Sequence, residues 1–153
     1  MSTSLALLLA AQGGGAGSVR QYELRRASDT ITVNFDGVAD IMLIGGSPSG
    51  GAAFNGFVGG AGAPGVCIKR IKVLAGQTFA FSCGAGGAAV SRASAGATQG
   101  NVGGTSTLTG PNGLSMTANS GAPGEAKTTK PTLGGAGGTA TGGDLNLQGG
   151  IGG

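Results

Sequence analysis

The stretch that decides the fold is VCIKRIKVLAGQTFAFSC, residues 66–83. β-Branched and aromatic residues lie on both sides of a short turn-like segment, a pattern typical of two strands joined closely in sequence. Residues 66–73 and 78–83 are therefore predicted to form a β-hairpin. Gly76, within the connection, can supply the positive φ that such a turn needs.

Further strand signals lie on both sides of this stretch. Residues 30–35 (TITVNF) alternate polar and apolar, and residues 39–44 (ADIMLI) read as a buried strand after an Asp-Gly turn. Residues 105–109 and 114–119 flank Gly-Pro-Asn-Gly, a second hairpin signal, and residues 144–148 (DLNLQ) alternate again. The sequence thus predicts an all-β fold, a small antiparallel sandwich of jelly-roll type.

Glycine dominates the chain between these strands and accounts for 36 of 153 residues. No three-residue glycine repeat persists over a long stretch. This excludes collagen and leaves packed polyproline II helices only in short pieces such as residues 134–138. We therefore predict long glycine-rich loop insertions. Each glycine held in a regular element costs roughly 0.5–1 kcal/mol more than alanine, which favours stabilisation by neighbouring subunits.

An apolar run, LALLLAA, occupies residues 5–11 near the N-terminus. It is far shorter than the roughly 20 residues that span a bilayer, so no membrane-spanning segment is predicted. We expect a short helix or peptide that anchors the chain to another protein through Leu5, Leu7, Leu8 and Leu9; a helix folded back on its own domain is the alternative. The expected division is an anchor and hinge over residues 1–17 and a glycine-rich β domain over residues 18–153.

Catalytic chemistry has few candidates in this composition. The chain has no histidine, and nothing singles out a pair among its six carboxylates. The segment GAGGAA, residues 84–89, fits a loose dinucleotide-binding pattern, but neither a helical segment nor a nearby acidic residue follows it. We therefore predict no enzyme activity, no cofactor and no metal site. A net charge of +3 without a run of cations also argues against nucleic-acid binding.

Candidate contact residues fall in two places. Lys69, Arg70 and Lys72 form the densest group of cations, which is either a solvated strand face or a docking site for an acidic or glycan surface. Phe54 and Phe57 lie in a glycine-rich segment, where aromatic side chains either fasten a loop to its domain or contact a sugar or a partner.

The two cysteines, Cys67 and Cys83, are placed symmetrically about Ala75. If the hairpin closes with a three-residue loop, they face each other and can form a cross-strand disulfide. The alternative is that both stay reduced and buried, as is usual for apolar-flanked cysteines of a protein assembled inside a cell.

The order of several blocks resembles the glycine-rich domain of phage tail-fibre, head-fibre and spike virion proteins. These blocks are GGAGAPG, VCIKRIKVLAGQTFAFSCGAGG, GGTSTL and GGDLNLQGG, and the resemblance covers about residues 28–153. Ala75 stands where the family's turn usually has proline. The family's late strand is matched closely by residues 143–150.

This resemblance implies a bacteriophage virion protein on the particle surface, assembled in the host cytoplasm. It would be a capsid decoration or head fibre, or a tail-fibre or spike component. Its implied partners are other capsid or tail proteins and further copies of itself, with a trimer favoured, and it implies no catalytic residues. The alternative function is an adhesin that binds a host glycan or outer-membrane protein through loops around Phe54, Phe57 and residues 88–99.

Overall fold

The computed structural model describes residues 7–13 and 20–153, with side chains from Arg26 onward. Within these residues the chain forms strands and a single 3₁₀ turn, Pro111–Gly113, and no α-helix. The strands are β1 (Leu7–Gly13), β2 (Arg20–Arg25), β3 (Asp29–Thr32), β4 (Gly37–Ile44), β5 (Ala52–Phe54), β6 (Phe57–Val58), β7 (Val66–Val73), β8 (Thr78–Ser82), β9 (Gly96–Thr98), β10 (Ser106–Thr109), β11 (Ser115–Ala118), β12 (Ala126–Lys127), β13 (Ala140–Thr141) and β14 (Leu145–Leu147).

Two antiparallel five-stranded sheets form a sandwich. The first sheet has the order β14–β7–β4–β1–β2, and the second has the order β13–β11–β10–β8–β3. Alternate residues of β4, β7, β8, β10 and β11 point between the sheets and form one apolar core. This confirms the predicted all-β antiparallel sandwich. The fully buried large side chains of the core are Ile41, Leu43, Val73, Leu108 and Met116.

Several predicted strands are present with small shifts at their ends. β4, β10, β11 and β14 fall within two residues of the predicted bounds, whereas β3 ends at Thr32 instead of residue 35. The second predicted hairpin is also confirmed, because β10 pairs with β11 in antiparallel register. Its turn places Asn112 and Gly113 at positive φ.

The first predicted hairpin is wrong. β7 pairs with β4 and β14, whereas β8 pairs with β3 and β10, so residues 74–77 cross from the first sheet to the second. Because the chain crosses here, β7 and β8 lie in opposite sheets. Their apolar residues pack against each other across the core, whereas in a hairpin the two strands would be neighbours in one sheet. Gly76 does adopt φ 87°, and its N–H donates to the Val33 carbonyl at 2.7 Å, which fixes the crossing to the end of β3.

The expected N-terminal helix is also wrong where the structure describes it. Residues Leu7–Gly13 form β1, which lies between β4 and β2 in the first sheet. A short apolar run does not by itself distinguish a helix from a strand inside a sheet, and here the backbone groups of β4 provide the partner. Leu5 and residues 14–17 of the expected hinge lie outside the described residues.

The glycine-rich insertions are extended segments that run side by side, not irregular loops. Three pairs of segments leave the sandwich and return to it, between β4 and β7, between β8 and β10, and between β11 and β13. A seventh segment follows β14. In the part of the chain that the structure describes, these segments are residues 45–51, 59–65, 84–88, 99–105, 119–125, 133–139 and 148–153. We call them the glycine array.

Hydrogen bonds in the array recur at every third residue. The Gly62 N–H donates to the Ala122 carbonyl at 3.0 Å. Three residues later, the Gly65 N–H donates to the Asn119 carbonyl at 2.9 Å. This spacing is that of the polyproline II helix, which repeats every three residues and leaves its backbone groups free for neighbouring chains.

The seven segments pack in two rows, and backbone bonds join every adjacent pair. One row consists of residues 84–88, 45–51, 59–65 and 148–153, and the other of residues 99–105, 119–125 and 133–139. A bond from the Gly46 N–H to the Gly104 carbonyl, at 2.9 Å, illustrates the contact between rows. The array is therefore a small lattice held by backbone groups, with no apolar core of its own.

Close approach of the backbones explains why glycine is required. A Cβ added at Gly62 would lie 2.1 Å from the carbonyl oxygen of Ala136, and one added at Gly124 would lie 2.1 Å from that of Gly59. No side chain fits at such distances. The sequence predicted polyproline II only in short pieces such as residues 134–138. The segments of the array are five to seven residues long, and together they form a continuous lattice.

Candidate functional site

Three short excursions join the paired segments at the end of the array that lies farthest from the sandwich. They are residues 52–58, 89–98 and 126–132. β5 of the first excursion pairs with β9 of the second, and β6 pairs with β12 of the third. β12 of the third excursion also contacts β9 of the second. The three excursions are therefore mutually adjacent and form one surface, which we call the tip.

Phe54 and Phe57 lie in the first excursion of the tip. They flank a two-residue turn in which Asn55 adopts φ 53°. Their relative exposures are 45% and 47%, and neither contributes to the sandwich core. Val58, next to Phe57, is also exposed. The first excursion therefore presents three apolar side chains to solvent on a backbone that pairs on both sides.

The charged residues within the three excursions are all cations. The three excursions contain Arg92, Lys127 and Lys130 and no acidic residue. Glu125 lies just inside the array and forms an ion pair with Lys127 at 2.5 Å. That hydrogen bond, together with the Leu133 backbone N–H, lowers the pKa of the Glu125 carboxyl and ties the third excursion to the array.

In the second excursion the Arg92 side chain lies over Gly96. Gly96 adopts φ 133°, a backbone conformation that favours glycine. The Arg92 guanidinium packs over it so closely that an added Cβ would lie 2.4 Å from Nη2. Arg92 is therefore part of the excursion's structure as well as a cation of the tip.

The cations predicted on β7 do not belong to the tip. Arg70 makes a two-pronged ion pair with Asp40 of β4, at 2.5 and 2.6 Å. Lys69 pairs with Asp144 at 2.9 Å, and Lys72 is exposed toward the end of β7 that points away from the array. The structure thus separates Lys69, Arg70 and Lys72 from the phenylalanines by the length of the array.

The two cysteines are free thiols. Cys67 of β7 lies in the core, where burial raises the pKa of its thiol, and Cys83 follows β8 in the other sheet. Because β7 and β8 do not pair, the face-to-face arrangement that a cross-strand disulfide would require is not present. Burial also raises the pKa of Cys83.

A groove of about 470 Å³ lies where the two sheets part beside β7, and a second, of about 420 Å³, lies on the first sheet beside the Asp40–Arg70 ion pair. Ile71, Phe79 and Leu114 form the apolar wall of the first groove, with Lys69 and Lys72 at its rim, and neither a carboxylate nor a thiol lines it. Among the described residues, no three potential metal ligands cluster, and no helix is long and apolar enough to cross a membrane.

Comparison with family models, curated proteins and solved structures finds no match for this chain.

Sequence reasoning identified two of the three excursions, around Phe54 and Phe57 and at residues 88–99. It did not identify the third, with Lys127 and Lys130. A signal was available, because each glycine-rich insertion leaves one strand and returns to the next. The central residues of each insertion are therefore expected to lie farthest from the sandwich and close to one another, which would include residues 126–132.

Proposed function

We propose that this chain is a non-catalytic structural protein of a bacteriophage particle, which projects from the virion surface. The observation that carries the proposal is the division of the molecule into a sandwich and a glycine array that ends in a tip. Seven residues at about 3.1 Å each make the array roughly 20 Å long. The resemblance of its sequence blocks to virion glycine-rich domains supports the same assignment.

In this proposal the sandwich end faces the particle and the tip faces outward. Leu5 remains a proposed anchoring residue. Leu7, Leu8 and Leu9 belong to β1, and therefore contribute to attachment as part of the first sheet and not as a free segment. The partner is a capsid or tail protein.

Purified particles of the phage that encodes the chain provide the test. We expect the protein to band with the particles in a density gradient, and a Leu5→Asp variant to be depleted from them. Leu74→Asp, at an exposed apolar position in the β7–β8 connection, is the control and should be incorporated normally. Recovery of the wild-type protein only outside the particles would overturn the proposal.

A second candidate function, host adhesion, is favoured by the tip. Half-exposed aromatic side chains next to Arg92, Lys130 and Lys127, of which Lys127 is paired with Glu125, suit an anionic surface glycan or an outer-membrane protein. A Phe54→Ala/Phe57→Ala variant should lower the adsorption rate of otherwise normal particles by roughly tenfold or more. Leu74→Ala is the matched control, and equal adsorption of both variants would contradict the adhesin function.

A further inference from the structure

The outer edge of β7 is paired over only part of its length. On one side β4 pairs with all eight residues of β7, but on the other side β14 pairs only with residues 66–68. In the part of the chain that the structure describes, no strand pairs with β7 beyond Ile68 on that side. Residues 69–73 therefore form a free sheet edge, which we call the open edge. At about 3.3 Å per residue it is roughly 17 Å long, the length of an ordinary strand.

Backbone groups along the open edge point away from β4. In an antiparallel ladder the N–H and C=O of one residue point to the same side, and successive residues alternate between the two sides. The Arg70 N–H points away from β4, because it donates to the Asp144 carboxylate at 2.9 Å. The N–H and C=O of Lys72, two residues later, therefore point the same way. The Asp144 side chain thus fills one position of the ladder, and among the described residues no backbone group fills the next.

The groove of about 470 Å³ between the sheets lies beside the open edge. Ile71 belongs to the face of β7 whose other members, Cys67 and Val73, are buried between the sheets. Ile71 therefore lines the groove from the first sheet, and Phe79 and Leu114 line it from the side of the second sheet. A strand added to the open edge would extend the first sheet over this groove. Its alternate side chains would then pack against these three apolar residues.

The charged residues that line the groove, Lys69 and Lys72, are both cations. Lys69 is paired with Asp144, whereas Lys72 forms no ion pair with any residue that the structure describes. Lysine on a free edge opposes pairing with the same edge of a second copy, because like charges would meet. The same charge favours a strand that carries carboxylates. These observations indicate an acidic strand of a different protein as the occupant.

We propose that an extended segment of a partner protein adds to the open edge as an antiparallel strand, in continuation of β14. Its inward side chains are apolar and pack on Ile71, Phe79 and Leu114, and its outward side chains are acidic and lie beside Lys72. In this mode of recognition the backbone bonds to the sheet edge supply affinity, and the alternating side chains supply specificity. The inference rests on β7 and the groove alone and does not depend on the proposed phage function.

A blocked peptide of about nine residues that alternates glutamate and valine is the probe. Titrated into the full-length chain, it should shift the NMR amide resonances of Ile71 and Lys72 and bind with a Kd below about 1 mM. A lysine–valine peptide should bind at least about tenfold more weakly because its cations meet Lys72. A glutamate–threonine peptide should lose roughly tenfold as well, because it leaves the apolar wall uncovered. Absence of binding by the glutamate–valine peptide, or equal binding by the lysine–valine peptide, would overturn the proposal.

Backbone methylation of the peptide separates strand addition from simple occupancy of the groove. In the proposed register, the residue opposite Lys72 is a glutamate whose N–H faces β7, whereas the valine N–H groups point away from β7. N-methylation of the glutamates should therefore abolish binding, and N-methylation of the valines should leave the Kd within about threefold. If both methylated peptides bind equally well, the groove takes the peptide without ladder bonds and the proposal fails.

Variants of Lys72 test the same contacts from the side of the protein. Lys72→Glu should reverse the preference, so that the lysine–valine peptide binds more tightly than the glutamate–valine peptide. Lys72→Pro removes the N–H that faces the open edge without touching the pairing with β4, and should bind more weakly than Lys72→Gln, which keeps that N–H. Arg26→Glu, an exposed position just before β3, is the control for the change in charge and should bind like the wild type. An unchanged peptide preference in Lys72→Glu would contradict the proposal.

Discussion

The sandwich and the glycine array are ordered by opposite means. In the sandwich, large side chains such as Leu108 and Met116 fill the space between two sheets and are completely buried. In the array, the absence of side chains lets backbones approach until carbonyl oxygens lie where a Cβ would be, as between Gly62 and Ala136. The structure of the sandwich therefore depends on large side chains that fill its core, whereas that of the array depends on positions without a side chain.

This difference predicts opposite responses to the same substitution. Adding a methyl group is destructive inside the array, whereas removing methyl groups is destructive inside the sandwich. Surface positions of both regions should tolerate either change. The following experiments test that contrast by the free energy of unfolding, from the largest expected effect to the smallest.

Gly62→Ala is expected to have the largest effect, a loss of roughly 4–5 kcal/mol or failure to fold. The added Cβ would lie 2.1 Å from a backbone oxygen, so two segments of the array must separate. Gly150→Ala is the matched control, because nothing lies within 4 Å of its Cβ. That variant should be neutral or slightly stabilised, since alanine lowers the entropy of the unfolded chain. Equal denaturation midpoints for Gly62→Ala and Gly150→Ala would show that the array does not depend on close backbone approach at Gly62.

Leu108→Ala should cost about 3 kcal/mol, because it leaves a cavity in the sandwich core. The matched control is Leu133→Ala, at a position where 79% of the side chain is exposed. Urea denaturation measures both. If the array and the sandwich unfold together, spectroscopic probes placed in either region should report the same midpoint for Leu108→Ala.

Ser106→Ala tests the junction between the regions and should cost about 1–2 kcal/mol. The buried Ser106 hydroxyl accepts a hydrogen bond from the Gly84 N–H at 2.9 Å, where the chain passes from β8 into the array. Removal of the hydroxyl leaves that buried N–H without its acceptor. Hydrogen exchange at Gly84 should accelerate in this variant, and unchanged exchange would show that the bond does not hold the junction.

Acid should weaken the sandwich through Asp144, with the smallest effect of the four. The Arg70 backbone N–H and then Lys69 hold the pKa of this exposed carboxyl below its ordinary value. Its contribution is therefore present above about pH 4 and is lost as the pH falls through the folded-state pKa. Asp144→Asn should reduce the fall in stability between neutral pH and pH 2–3, and an identical pH profile would contradict this role.

Much of the sandwich could be predicted because its strands carry local signals. The alternation in residues 144–148 and the Pro-Asn-Gly turn after β10 both identified real elements. The partners of the strands were harder to predict. Residues 74–77 have the composition of a hairpin turn, but a turn of this length can also cross between two sheets. Only the packing of the whole core decides between a hairpin and a crossing.

The tip could be predicted in part for a similar reason. Phe54 and Phe57 were distinctive in a glycine-rich context, whereas Lys127 and Lys130 had no local feature to separate them from a solvated loop. Lys69, Arg70 and Lys72 were equally distinctive in sequence but lie elsewhere, with Arg70 and Lys69 in ion pairs. Whether these cations lie near the phenylalanines depends on the distance between β7 and the tip in the folded chain, and the spacing of residues along the sequence does not give that distance.

The amino-acid sequence by itself determined that this is an antiparallel β protein with ordered strands and a very large share of glycine. The tertiary structure alone decided that the glycine segments form a lattice and that residues 74–77 cross from one sheet to the other. The physical reason is that strand formation depends on neighbouring residues, whereas the lattice depends on close approach between segments far apart in the chain. Glycine permits that approach. Which segments hydrogen-bond to one another, however, is decided only when all seven segments of the array have packed together.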